Sequence, residues 1–208
     1  MRQRHTNAPE TIEKENEHSL QENEYSYSAI QISRPGGYDE LKKVSLSGKG
    51  ALGANMKGVS KEEMVVVSTS FVGINYADIC IRWGLYESAK KFVGWPIVPG
   101  FEFSGTVTEI GNAVTGLKVG DQVFGMTMFG GYSTSIQVPQ HQVYPLPSQF
   151  NLQEGAAFLT VALTAWYAMF KQYQPQPGDS VMIHSVAGDL RVHLLHCIIQ
   201  YYKIFVAS

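Results

Sequence analysis

Alternating apolar and polar positions run through residues 28–146 and predict a series of short β-strands, each with one buried face. Helical spacing interrupts this alternation only once, at residues 75–84, where Ile74, Ala77 and Ile81 indicate a short helix. Turn residues at 35–37 join the first two strands into a hairpin. We therefore predict a β-rich, barrel-like domain over residues 25–147, with strands at 28–33, 41–46, 64–72 and near 103–111, 122–128, 132–138 and 143–146.

The pattern changes after residue 147. Residues 155–171 form an apolar stretch of helical length, with Ser148 as the expected N-cap and Glu154 near the next turn. A strand at 180–184, a loop, a helix at 190–202 and a strand at 203–207 follow. This order is typical of the opening of a parallel α/β sheet. The predicted fold class is thus α+β / α/β, with a β-barrel followed by one strand-helix-strand unit over residues 148–208.

The first 24 residues contain six acidic and three basic side chains and few apolar ones. Such a segment buries too little apolar surface to offset the entropy lost on ordering, so we predict a disordered leader.

Composition excludes several functional classes. The formal net charge of −2 and the lack of a basic cluster argue against nucleic-acid binding. No apolar run is long enough for a transmembrane helix, and the N-terminus has no secretory signal. The two cysteines, Cys80 and Cys197, are far apart, which favours a reducing, cytoplasmic compartment. Peripheral association with a membrane is left open.

The densest motif begins at Gly100-Phe-Glu102 and continues through Gly105 and Gly111 to a Gly120-Asp-Gln-Val123 turn. Glycines at these points permit turns or close approach of backbones. Glu102 stands among apolar residues, so it should be paired or hydrogen-bonded if it is buried. A generic all-β domain with glycine turns is the alternative interpretation.

On these motifs, residues 29–188 resemble a zinc-independent member of the medium-chain dehydrogenase/reductase superfamily. The likeness is greatest to quinone oxidoreductases and, through residues 36–46 and 98–105, to the branch named for vesicle amine transport. The resemblance implies a GroES-like β-barrel catalytic domain followed by a Rossmann domain. NADPH and a quinone or enone would meet in the cleft between them. Only the first half of a full-length member is covered, so we expect a chain that is truncated at its C-terminus.

The resemblance also assigns roles to individual residues. It places Asn75 and Tyr86 at the catalytic centre, and it assigns Asn75, Thr164, Ala187 and Gly188 to cofactor binding. Each of the first three has a structural alternative: Asn75 could cap the following helix, Tyr86 could pack in the core, and Thr164 could bond the carbonyl four residues earlier. We expect Asp78 to be structural and to pair with Arg82, one helical turn away.

Metal binding is not expected. Zinc-dependent relatives have Gly-His-Glu where this chain has Gly100-Phe101-Glu102, and two isolated cysteines cannot form a four-cysteine site. The histidines show no ligand spacing apart from His193 and His196, three residues apart, which is a weak signal.

The phosphate-binding loop departs from the family pattern. Where the family has a glycine-rich turn, this chain has Ala187-Gly188-Asp189-Leu190-Arg191, which puts a carboxylate beside the pyrophosphate. We therefore expect weak or absent NADPH binding. The predicted function is that of an NADPH-dependent quinone or enone reductase lineage, with doubtful activity in this chain. The alternative is a non-catalytic interaction protein or a nonfunctional fragment.

Overall fold

The computed structural model describes residues 25–53, 58–174, 176, 179, 181–183 and 204–206, the last two segments by their backbone. The predicted leader at 1–24, the predicted helix at 190–202 and the loop residues Ala187, Gly188, Asp189 and Arg191 lie outside the described residues.

The N-terminal hairpin forms where the alternation predicts it. Strand β1 (Ser26–Ile32) pairs antiparallel with β2 (Leu41–Ser47), and Ile32 stands opposite Leu41. The backbone N–H of Ile30 donates to the carbonyl oxygen of Tyr132 at 2.9 Å, which joins the hairpin to the rest of the domain.

A six-stranded sheet forms the centre of the barrel domain. Its strands are β3 (Ala51–Leu52), β4 (Met64–Val72), β5 (Glu102–Ile110), β6 (Gln122–Met126), β7 (Ser135–Pro139) and β8 (Val143–Pro145), in the order β3-β7-β4-β5-β6-β8. All pairings are antiparallel except that of β3 with β7. The five longer strands confirm the predicted ones, whereas the two-residue strand β3 lies where no strand is predicted.

The apolar side chains of this sheet form a contiguous core. Val65 and Val67 of β4 meet Phe103 and Val107 of β5, and residues from three further strands complete the cluster: Val123, Ile136, Val138 and Val143. The other face of β5 is buried as well, because Glu102 accepts from a backbone N–H of the helical region after residue 151 and Ser104 donates to a carbonyl oxygen there.

Two short helices follow β4. Helix α1 (Tyr76–Arg82) confirms the predicted helix, but Ile74 precedes it and is 80% exposed, so the prediction that Ile74 shares its apolar face is wrong. On α1 itself, the fully buried apolar side chain is that of Ile81. Helix α2 (Glu87–Phe92) was not predicted, since its apolar residues are too few to show a period.

The predicted long helix at 155–171 is divided. Helix α3 (Leu152–Ala156) begins after Asn151, whose Oδ1 accepts from the N–H of Glu154 at 2.9 Å, so Asn151 rather than Ser148 is the N-cap. Backbone ψ at Ala157 is 14°, which ends α3. Helix α4 (Leu159–Tyr167) follows and continues into a π-helical segment, Ala168–Tyr173.

The last described strands are β9 (Val181–Ile183) and β10 (Ile204–Val206), which pair in parallel with Val181 opposite Ile204. Parallel pairing confirms the prediction that a new α/β sheet opens here. The predicted domain boundary at residue 147 lies between β8 and α3 and stays a prediction.

Candidate functional site

The loop between β4 and α1 brings Asn75 to the start of β5. Asn75 Nδ2 donates to Glu102 Oε1 at 2.9 Å, although the two residues are 27 positions apart. Asn75 is half-buried and forms the N-cap of α1, in a capping box with Asp78, so the structural alternative for this residue is present and its catalytic assignment stays a prediction. The amide group therefore lies at the surface of the domain, where its hydrogen bond to the Glu102 carboxylate fixes it.

Glu102 is only 2% exposed, and protein N–H groups engage both of its carboxylate oxygens. Oε2 accepts from the backbone N–H of Thr160, in the first turn of α4, at 2.9 Å. A buried carboxylate requires such donors, because without them burial would cost several kcal/mol, of the order measured for unpaired buried charges. The prediction that a buried Glu102 would be hydrogen-bonded is confirmed.

Asp78 is the second buried carboxylate of the site, at 6% exposure. Its Oδ2 accepts from the Asn75 backbone N–H at 2.8 Å and from the Tyr132 hydroxyl at 2.9 Å, and its Oδ1 accepts from the Gly100 N–H at 3.0 Å. Burial raises the pKa of Asp78 above its ordinary value of 3.8, and these three hydrogen bonds oppose the increase. Asp78 thus ties the Asn75 loop to the Gly100 turn.

Tyr132 completes this network from the segment between β6 and β7. Burial raises its pKa above 10.0, and the negative charge of Asp78 raises the pKa further. Tyr132 therefore stays protonated and donates to Asp78 throughout the physiological pH range. Gly100, at φ 98°, packs so closely that a Cβ there would lie 2.5 Å from the Tyr132 ring. Only glycine fits at this position.

Arg82 does not pair with Asp78, so the predicted ion pair is wrong. Arg82 is 4% exposed and donates from Nη1 to the Gly36 carbonyl oxygen at 2.7 Å. Its guanidinium stacks on the Tyr38 ring, with 4.3 Å from Cζ to the ring centroid. The backbone and tyrosine donors around Asp78 take the positions that an arginine partner would have needed.

Tyr86 lies in an adjacent aromatic cluster, half-buried at the start of α2. Its ring is edge-on to Phe101 at 5.7 Å and to Phe129 at 6.3 Å between centroids. Phe129 has a positive φ of 69°, which is uncommon for a residue with a side chain. The packing alternative for Tyr86 is thus present in the structure, and its assignment to a catalytic cleft stays a prediction.

Thr164 is exposed on α4, and its hydroxyl donates to the Thr160 carbonyl oxygen at 2.6 Å. The structural alternative for this residue is therefore realised, and its assignment to cofactor binding stays a prediction. Thr160 Oγ1 is buried and has no hydrogen-bond partner among the described residues. The two hydroxyls lie one helical turn apart on α4, and the backbone N–H of Thr160 donates to Glu102.

The structure brings together Asn75, Asp78, Glu102, Tyr132 and Thr160. Tyr132 and Thr160 carry no sequence signal for this role, since they lie 54 and 58 residues from their partners, Asp78 and Glu102. Tyr86 lies in the aromatic cluster rather than in the hydrogen-bonded network, and Ala187 and Gly188 are outside the described residues.

The acidic groups of the site are arranged as acceptors for protein donors. Across the part of the chain that the structure describes, no group of three or more His, Cys, Asp or Glu side chains could hold a metal ion. No helix within the described ranges is long and apolar enough to cross a membrane. The Asn75 amide has a second Nδ2 hydrogen that Glu102 does not use and that can donate to a ligand.

Comparison with known proteins agrees with this fold. The profile of the alcohol dehydrogenase GroES-like domain matches residues 61–148. The synaptic vesicle membrane protein VAT-1 homolog of Danio rerio is 30% identical over 176 residues, covering 85% of this chain and 34% of that protein. The quinone oxidoreductase of Lama guanicoe is 31% identical over 161 residues, covering 77% of this chain and 46% of that protein.

Among solved structures, that of Escherichia coli quinone oxidoreductase complexed with NADPH matches with a TM-score of 0.72 and 24% identity, over 86% of this chain and 52% of that one. These matches confirm the predicted fold class, a GroES-like domain followed by a partial Rossmann-like sheet. The chain spans between about a third and a half of the length of the proteins that it matches.

Proposed function

Because the chain belongs to the medium-chain dehydrogenase/reductase superfamily, in its quinone oxidoreductase-like lineage, we propose that it transfers hydride from NADPH to a quinone or another conjugated carbonyl compound. The observation that carries the proposal is the Asn75 amide, fixed by a buried carboxylate at the edge of the barrel domain. Tyr86 is proposed as a wall of the substrate cleft.

NADPH is proposed as the cofactor, in line with the E. coli quinone oxidoreductase complexed with it. Bound NADPH would supply the hydride. The described residues fit this group, since α4 exposes Thr164 one turn beyond the Thr160 N–H that Glu102 binds, and Asn75 is half-buried on the other side of that carboxylate. Ala187 and Gly188 are proposed to contact the pyrophosphate, against the charge of Asp189.

Asn75 would act on the substrate carbonyl. A primary amide has two N–H donors, and Glu102 takes one of those on Nδ2. The second can donate to the carbonyl oxygen, which becomes more negative as hydride reaches the conjugated system. A fixed donor at that oxygen stabilises the transition state more than the ground state.

We also propose that the chain binds no zinc. Phe101 occupies the position of the histidine ligand and packs against Tyr86 and Phe129, and N–H donors occupy both oxygens of Glu102. Such a site offers no set of free N, O or S ligands. Elemental analysis after dialysis against a chelator should find far less than one zinc per chain, and a stoichiometric value would contradict this.

A cytoplasmic location is proposed from cysteine usage, since Cys80 and Cys197 are far apart in the sequence and form no disulfide framework. Fractionation of cells that express the tagged chain tests it, since recovery mainly with membranes after a salt wash would refute it.

The direct test is NADPH oxidation with duroquinone, a fully substituted quinone that reacts poorly with thiols such as Cys80. Millimolar NADPH compensates for the weak binding expected from Asp189. The proposal predicts oxidation above the buffer rate, lowered roughly 100-fold in Asn75→Ala, as for the loss of one transition-state donor. Equal rates for the wild-type chain and Asn75→Ala would contradict it.

An interaction protein without catalysis is the second candidate. It is supported by three side chains of α4 that are about half exposed, Leu163, Trp166 and Tyr167. A folded wild-type chain that shows no duroquinone reduction at any NADPH concentration would favour this candidate.

A further inference from the structure

Glu102 connects Asn75 with the first turn of α4, and the proposed function uses only the Asn75 end of this connection. Its Oε1 accepts from Asn75 Nδ2 and its Oε2 from the Thr160 N–H, each at 2.9 Å. We infer that Glu102 is a positioning residue, which fixes the polarity of the Asn75 amide and links it to the first turn of α4. The inference rests on the proposed function only for the nature of the ligand.

The polarity argument follows from the chemistry of the two groups. An ionised carboxylate only accepts hydrogen bonds, whereas the two ends of an amide differ. If the Asn75 amide turned over, its Oδ1 would face Glu102 Oε1, and two acceptors would meet in a buried site. Glu102 therefore holds Nδ2 inward and leaves the second N–H as the donor that a ligand can use.

The packing around Glu102 shows that its position is closely defined. A Cβ on Gly73 would lie 2.4 Å from Glu102 Oε1 and 2.5 Å from the Ala156 carbonyl oxygen. The Gly73 N–H also donates to the Glu102 carbonyl oxygen at 3.3 Å. Glycine at 73 is thus the condition for Glu102 to lie between the Asn75 loop and α4.

One substitution at position 102 changes the hydrogen-bonding groups of the side chain and leaves its shape almost the same. Glu102→Gln keeps the volume. Because the Thr160 backbone N–H cannot turn, the carbonyl oxygen of the new side chain should accept from it, which leaves the NH₂ group facing Asn75 Nδ2, donor against donor. Glu109→Gln is the matched control, because Glu109 lies on the same strand and pairs with Lys49 at the surface. The probe is the pair of Asn75 side-chain amide protons, observed by NMR in protein labelled with ¹⁵N and assigned by comparison with Asn75→Ala.

In the wild-type chain, the inward Asn75 proton should be shifted downfield and exchange slowly with water. In Glu102→Gln, both resonances should move or broaden, and exchange should accelerate roughly tenfold, the change that follows when about 1.4 kcal/mol of hydrogen bonding is lost. Glu109→Gln should leave both resonances in place. Unchanged Asn75 resonances in a folded Glu102→Gln variant would overturn the inference.

The double variant Asn75→Asp/Glu102→Gln reverses the pair. The carbonyl oxygen of the introduced glutamine can accept from the Thr160 N–H, while its NH₂ group donates to the introduced carboxylate at position 75. Thermal stability should therefore recover relative to Glu102→Gln, but the outward N–H is lost, so kcat for duroquinone should stay about 100-fold below wild type. A double variant no more stable than the sum of the single changes would count against direct pairing.

These measurements separate the inference from the proposed function. If the wild-type chain fails to reduce duroquinone but the Asn75 resonances respond to Glu102→Gln and stability recovers in the double variant, the positioning role stands and the proposed function is wrong. If duroquinone is reduced but the resonances do not respond, the positioning role is wrong and the function stands.

Discussion

At the scale of single residues, two buried carboxylates, Asp78 and Glu102, organise the site with different partners. Asp78 binds the backbone of the Asn75 loop, the Gly100 turn and the Tyr132 hydroxyl, while Glu102 binds the Asn75 side chain and α4. Each buried charge costs free energy that its hydrogen bonds offset, so removal of one partner leaves a larger deficit than the bond alone would suggest.

The Asp78→Asn variant tests this description by its pH dependence. At pH 7 it should be less stable than wild type by roughly 1–3 kcal/mol, because an amide cannot accept from all three donors. The folded-state pKa of Asp78 is raised above 3.8, so the carboxyl contributes stability below 3.8 that is lost as pH rises through the folded-state pKa. The advantage of wild type in urea unfolding should therefore grow as pH falls from about 7 to about 4. An advantage that shrinks would show that the pKa is lowered instead.

Some contacts of these buried carboxylates could be predicted from the sequence, and others could not. Glu102 could be predicted to need a partner, because a charged residue in an apolar strand implies one. Its actual partner in α4, and the contact of Asp78 with Tyr132, bridge 58 and 54 residues and leave no periodic trace. The predicted Asp78–Arg82 pair is wrong because helical spacing does not show the partners that each side chain finds elsewhere, the Gly100 turn and Tyr132 for Asp78 and the Gly36 carbonyl oxygen for Arg82.

At the scale of secondary-structure elements, β4 and β5 hold the loop that carries Asn75. They pair over most of their length, with shifts in register beside Val67 and Phe71. Gly105 allows the second shift, because a Cβ there would lie 2.0 Å from the Ser68 carbonyl oxygen. The strands therefore approach closely just before the Asn75 loop and the Glu102 position.

Gly105→Ala should accordingly destabilise the domain by roughly 2–3 kcal/mol through overpacking. Gly116→Ala is the control: φ at Gly116 is 77° with open space around it, so only the conformational penalty of about 1 kcal/mol applies. Chemical unfolding followed by tryptophan fluorescence measures both. A smaller loss for Gly105→Ala than for Gly116→Ala would mean that the β4–β5 contact is looser than described.

Strands were predicted better than helices, for a physical reason. In strands such as β7, buried positions alternate with partly exposed ones, so the pattern is present in the sequence itself. The break between α3 and α4 depends on backbone geometry at Ala157 and on Glu102 accepting from the Thr160 N–H, which begins the second helix at a place that the apolar stretch does not mark. The short strand β3 pairs with β7 over two residues, too few to show an alternation in the sequence.

At the scale of the whole molecule, a GroES-like barrel domain presents Asn75 next to the helix that leads towards a parallel sheet. Glu102 belongs to the barrel and Thr160 to that helix, so one side chain connects the two parts of the chain. In the proposed reaction, the barrel supplies the donor to the substrate oxygen and the following region holds NADPH.

Transfer of a labelled hydride tests this account most directly. NADPH carrying two deuterium atoms at C4 of the nicotinamide, so that either face delivers the label, is incubated with 2-cyclohexen-1-one and the wild-type chain. The deuteride should move to the β-carbon, a solvent proton should add to the α-carbon, and NADP⁺ should form in equal amount. We predict cyclohexanone with one deuterium at C3, formed about 100-fold more slowly by Asn75→Ala. Unlabelled product, no product from the folded chain, or equal rates in the two proteins would contradict the account.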